Sequence, residues 1–99
     1  PVVVTPATAE ATRYLNLSFE ACRTEKAEEC IALAKKALAL NPSYAEAYNN
    51  IAAANEALQH WDEAIAAARE ALRLRPDFQL AKNNLAWSES QKLKAAGGK

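Results

Sequence analysis

His60 is the single histidine of the 99-residue chain, and it stands beside Trp61 at an expected helix turn. A histidine base needs a nucleophile to activate and an acid to orient it. No Ser or Cys nucleophile with an orienting acid is evident near His60, so a solvated surface role is expected. Asp62 and Glu63 follow at helix-start positions, where acids favour the helix dipole. The other carboxylates are scattered over outer faces, and with only Gly97 and Gly98 there is no glycine-rich phosphate loop. No catalytic residue and no cofactor is expected. Cys22 and Cys30 lack the second pair that a structural zinc site would need and make no disulfide framework, so free thiols and no metal site are expected.

Twelve basic and twelve acidic residues cancel, so no global field draws the chain toward nucleic acid or an anionic membrane. Arg69, Arg73 and Arg75, and likewise Lys35 and Lys36, are expected on solvated faces because no aromatic residues are interleaved with them for stacking on bases. No stretch has the length of a membrane span or the parts of a signal peptide, which leaves localisation undetermined. Reduced cysteines would suit the cytoplasm. The opening Pro1-Val2-Val3-Val4-Thr5-Pro6, without Met, reads as part of something longer.

The elements that would position any site follow from an internal repeat. Shifted by 34 residues the chain falls on itself, Ala11 to Tyr44 on Ala45 to Phe78, with Leu40-Asn41-Pro42 on Leu74-Arg75-Pro76. A period of this length holds two short helices, and such units bury their apolar faces only by stacking. Residues 1–8, with β-branched side chains between two prolines, are expected to be extended. Steps of three and four from Ala11 through Tyr14, Leu17 and Ser18 to Ala21 predict a first helix from near Ala9 to about Arg23 to Glu25. Tyr14, Leu17 and Ala21 are expected to face the second helix.

Further helices are predicted at about Ala27 to Leu40, Tyr44 to Gln59, Trp61 to Leu74 and Phe78 to Lys94, with breaks at Pro42 and Pro76 and caps at Ser43 and Asp77. Residues 9–96 form one domain in this scheme: repeat 1 over 11–44, repeat 2 over 45–78 and a capping helix over 79–94. Lys82 replaces Tyr14 and Tyr48, and a run of polar residues from Ser88 to Lys92 gives the capping helix a polar outer side. Ala95 to Lys99 is expected to fray. Cys30 stands where the second repeat has Ala64, which predicts a small buried residue; Cys22 aligns with Glu56 and is expected to be exposed.

Over about Ala11 to Lys94 the chain resembles the tetratricopeptide repeat family. The second repeat offers Tyr48, Ile51, Ala52, Trp61, Ala64, Ala68, Ala71 and Pro76 at the family's positions; the first offers Tyr14, Leu17, Ser18, Ala27, Cys30, Ala34, Ala37 and Pro42. Asn55 and Ala21 replace a usual Tyr, Ala27 an aromatic, and Ala34 and Ala68 a bulkier residue. Smaller residues there bring the helices closer or leave the packing loose. The resemblance implies an all-α, right-handed superhelical solenoid that serves as a scaffold for proteins or peptides. Some phrases, such as Tyr48-Asn49-Asn50-Ile51, also look like the tails of large bacterial proteins, including membrane glycosyltransferases. The alternatives are therefore a structural or substrate-recruiting extension of such an enzyme, or a self-association module.

In the family the first helix of each repeat lines a concave groove through its second, fifth, sixth, ninth and twelfth residues. Carried over, these are Thr12, Leu15, Asn16, Phe19 and Cys22; Glu46, Asn49, Asn50, Ala53 and Glu56; then Leu80, Asn83, Asn84, Trp87 and Ser90. Asn16, Asn50 and Asn84 form a ladder whose amides either grip the main chain of an extended ligand or bond to the scaffold itself. Leu15, Phe19, Leu80 and Trp87 are an apolar set that either anchors a ligand or closes the array. Relatives that clamp a terminal carboxylate use Lys, Arg and Asn where this chain has Leu15, Phe19, Asn50, Leu80 and Asn84. Only Asn50 agrees, so an internal extended segment is the expected ligand. With no repeat before it, the amino-terminal end is expected to meet residues 1–8, a parent domain or another copy.

Overall fold

The computed structural model describes residues 5–97 as five α-helices: α1 Pro6–Arg23, α2 Ala27–Leu40, α3 Ala45–Ala57, α4 Trp61–Leu74 and α5 Gln79–Gly97. No strand occurs among the described residues. The fold is all-α, as the 34-residue period predicts. Each helix packs on its neighbours in sequence, and α3 also packs on α1 and on α5.

The two repeats share their backbone punctuation. After α1, Glu25 adopts φ 64° and the Lys26 N–H donates to the Ala21 carbonyl at 2.8 Å. After α3, Gln59 adopts φ 61° and the His60 N–H donates to the Asn55 carbonyl at 2.8 Å. Both are Schellman endings with a non-glycine residue in the left-handed position. After α2 and α4, the Asn41 and Arg75 N–H groups each donate at 2.9 Å to a carbonyl four residues back, and Pro42 and Pro76 then end the helix.

Three local expectations are corrected. The first helix begins at Pro6, because the Thr5 hydroxyl accepts the Thr8 N–H at 3.1 Å and proline suits the first helical turn; residues 1–4 of the expected extended segment lie outside the described residues. Ser43 does not cap α3, since its own N–H donates to Asn41 Oδ1 at 3.1 Å and the cap position falls on Tyr44. The last helix continues through Ala95 and Ala96, both strong helix formers, to Gly97.

The core is built from alanine. Ala34, Ala37, Ala47, Ala52, Ala64, Ala68 and Ala71 are fully buried, and the largest side chains buried as completely are only Cys30, Ser18 and Ser88. Tyr14 and Ile51 cover the Ala34–Ala37–Ala47 cluster. Leu17, the counterpart of Ile51, is 42% exposed rather than packed on α2. At the same position of α3, Ile51 packs on Ala34 and Ala37 of α2.

The cysteines are also corrected. Cys22 at the end of α1 and Cys30 in α2 form a disulfide with their Cα atoms 5.1 Å apart, within the normal range. The helix turn between them folds back and brings together two positions that a spacing rule for frameworks treats as unpaired. Cys22 is half-buried, not exposed.

At the other end, α5 reaches across to α4 with ion pairs Lys92–Asp62 at 2.7 Å and Arg69–Glu89 at 3.2 Å. The same places on α3 carry Asn55, which is buried, and Leu58, which is half-buried. Charged side chains on α5 therefore stand where α3 has covered ones. A 550 Å³ hollow remains there, with Ile65, Ala66 and Leu93 between the two ion pairs.

Candidate functional site

The helices α1, α3 and α5 share one face, and the 34-residue period places corresponding side chains in rows across it. The ninth-position row is Phe19, Ala53 and Trp87: Phe19 is 59% exposed, Trp87 is 55% exposed, and Ala53 lies half-buried between them in the sequence of helices. Leu80 is 61% exposed. Large apolar side chains held this far in solvent keep more than half of their surface unburied, which distinguishes them from the alanine core.

A hollow of 240 Å³ opens on this face. Leu15 and Phe19 of α1 form one apolar side, and Phe78 and Leu80 the other. Asn16, Glu46, Asn49 and Asn50 supply its polar lining. Phe78 is buried, with the Arg75 guanidinium stacked 3.9 Å from its ring centroid. Arg75 also bonds Glu46 at 2.7 Å, which fixes the first turn of α3 against the turn before α5. Trp87 is not among the residues that line the hollow.

The asparagines divide into two groups. Asn49 and Asn50 are buried, Asn84 is half-buried, and Asn16 and Asn83 are exposed. The Asn84 amide donates to Asn49 Oδ1 at 2.7 Å. The Asn50 amide donates to Ser18 Oγ at 3.4 Å, and that hydroxyl donates to the Cys30 carbonyl at 2.9 Å. Asn83 accepts from Gln79 at 2.9 Å. Asn50 and Asn84 thus spend amide protons on the scaffold, while Asn16 is exposed and has no side-chain hydrogen bond among the described residues.

Glu56 is half-buried and accepts the Ser88 hydroxyl at 2.7 Å. Burial raises its carboxyl above the ordinary range, and the Ser88 hydrogen bond offsets this in part. No ion pair to Glu56 occurs among the described residues. Thr12 is exposed, as is Ser90.

Of the residues expected along the groove, Leu15, Asn16, Phe19, Asn49, Asn50 and Leu80 line this hollow, and Ala53, Glu56, Asn83, Asn84 and Trp87 do not. Sequence reasoning missed Phe78, whose role depends on the Arg75 stack and on the turn that aims the ring inward. Ser18 and Ser88 were also missed as bonding partners, because each takes a proton acceptor from a helix 32 or fewer residues away only after the helices stack. His60 is exposed, and no cluster of His, Cys, Asp and Glu able to hold a metal occurs among the described residues. No helix is long and apolar enough to cross a membrane among the described residues.

Helix pairs with recurring turns and a shared inner row of first helices define a helical-repeat protein. Residues 45–78 match the family model described as Tetratricopeptide repeat, so this segment is a tetratricopeptide repeat. Its bounds coincide with the second unit of the 34-residue period. No curated protein matches the chain. Tetratricopeptide repeats in general mediate protein–protein interaction.

Proposed function

We propose that this chain is a non-catalytic scaffold that holds an extended protein segment along the face shared by α1, α3 and α5. The observation that carries this is the set of exposed apolar side chains on that face, Phe19, Leu80 and Trp87, of which Phe19 and Leu80 line a hollow of 240 Å³. The hollow accepts one or two aliphatic side chains of an extended strand. Asn16 bonds the ligand main chain, and the buried asparagines keep the polar floor satisfied when the hollow is empty. Face positions Leu15, Phe19 and Leu80 are apolar, so the ligand is an internal stretch rather than a chain terminus.

The test is calorimetric titration with apolar pentapeptides, free or amidated at the carboxy terminus. Amidation leaves affinity unchanged, and Phe19→Ala or Leu80→Ala weakens it by about ten-fold or more, as for an apolar hot spot. Trp87→Ala weakens longer peptides that extend across α5. Affinity that vanished on amidation, or that survived loss of both Phe19 and Leu80, would refute this mode of binding.

A further inference from the structure

The charges on the same face are unequal. Glu46 has its own counter-ion in Arg75 at 2.7 Å. Glu56 has none among the described residues, and one hydroxyl, that of Ser88, is its hydrogen-bond donor. A carboxylate has room for about four hydrogen bonds. The corresponding positions on the flanking helices, Cys22 in its disulfide and Ser90, bring no charge. Each of the other rows, from Thr12 to Trp87, lacks Lys and Arg entirely. An acidic ligand would therefore meet carboxylates and no uncommitted cation, whereas a basic one would meet its complement.

We propose that Glu56 reads a Lys or Arg side chain in the bound segment, two residues away from the apolar side chain that fills the hollow. This rests on the scaffold function proposed above and names its partner as a basic, apolar sequence. The spacing follows from helix geometry. Six residues of α3 separate Asn50 at the hollow from Glu56, about 9 Å along the helix. Two residues of extended chain cover about 6.7 Å and return to the same side, and the stem of a Lys or Arg side chain supplies the rest. Phe19 and Trp87, in the row one turn before Glu56, offer apolar surface for that stem.

The measurement is isothermal titration of the full chain with acetylated, amidated Ser-Leu-Ser-Lys-Ser and with the same peptide carrying norleucine or Glu in place of Lys. The Lys peptide binds about ten-fold more tightly than the norleucine one, and the Glu peptide is weakest. Glu56→Gln keeps an acceptor for Ser88 and, with helical circular dichroism unchanged, brings the Lys and norleucine peptides to equal affinity. Equal affinities in the unaltered protein, or a preference for Lys that persists in Glu56→Gln, overturns the cation site alone. Failure of both the Lys and norleucine peptides to bind overturns the scaffold function and the cation site with it.

Discussion

The two helix pairs α1–α2 and α3–α4 use the same backbone and hold it together differently. At equivalent positions the first has Cys22 and Cys30, joined covalently, and the second has Glu56 and Ala64. Where the second pair opens α4 with half-buried Trp61, the first opens α2 with buried Ala27. Leu17 of the first pair stands in solvent while its counterpart Ile51 is packed. The cross-link stands close to the turn in the pair that has the smaller residue there. At the equivalent position of the second pair, Glu56 instead accepts the Ser88 hydroxyl of α5.

Reduction of the disulfide is expected to have the largest effect. Closing a loop between residues 8 apart is worth about 2 to 3 kcal/mol through the unfolded state. Urea unfolding with and without reductant should show a loss of that size, and Trp61→Ala in the second pair should cost less, about 1 to 2 kcal/mol for a half-buried side chain. The reverse order would break the comparison, because the second pair would then be the one that depends on its staple. Next come Ala34→Leu and Ala68→Leu. Both alanines are completely buried, so each enlargement should destabilise by about 1 to 3 kcal/mol in thermal or urea melts, and by similar amounts if the two cores are equivalent.

Smaller effects sharpen the comparison. The raised carboxyl of Glu56 means that the folded chain holds this proton more tightly than the unfolded one. Its stabilising share is complete below the ordinary value of 4.5 and is lost as pH rises through the raised folded value. Glu56→Gln should flatten stability in that window, read by urea midpoints at several pH values, whereas Glu20, lowered by its bond to Arg23, acts in the opposite direction. Cys22 cannot contribute, so this slope belongs to the second pair. Smallest and most symmetric are Glu25→Gly and Gln59→Gly. Relief of the left-handed conformation should stabilise each by up to about 1 kcal/mol; unequal gains in melting temperature would show that the two turns differ despite matching hydrogen bonds.

Helix identity and order were legible because apolar spacing and proline are local signals. Ala27–Leu40 and Trp61–Leu74 match their predicted limits. The errors lie where a local signal has competitors. Ser43 lost its cap to the side chain of Asn41, and Thr5 with Pro6 started α1 inside a stretch whose β-branched residues favour extension. The rows of the shared face were also readable, since a fixed period fixes which positions align. Which of those residues are committed was not. Asn16, Asn50 and Asn84 are identical in type, yet their exposure differs because Asn50 meets Ser18, Asn84 meets Asn49, and Asn16 meets no described partner.

The sequence by itself determined a 34-residue period, hence paired helices, their breaks at Pro42 and Pro76, and the set of residues available to one face. Those properties depend on neighbours within a turn or two, or on repetition, and both are written along the chain. Tertiary structure alone decided that Cys22 and Cys30 bond, that Phe78 joins Leu15, Phe19 and Leu80 around a hollow, and that Glu56 is half-buried without a counter-ion. Disulfide formation, enclosure and desolvation each depend on distances between helices, and those distances exist only once alanine has allowed the helices to stack.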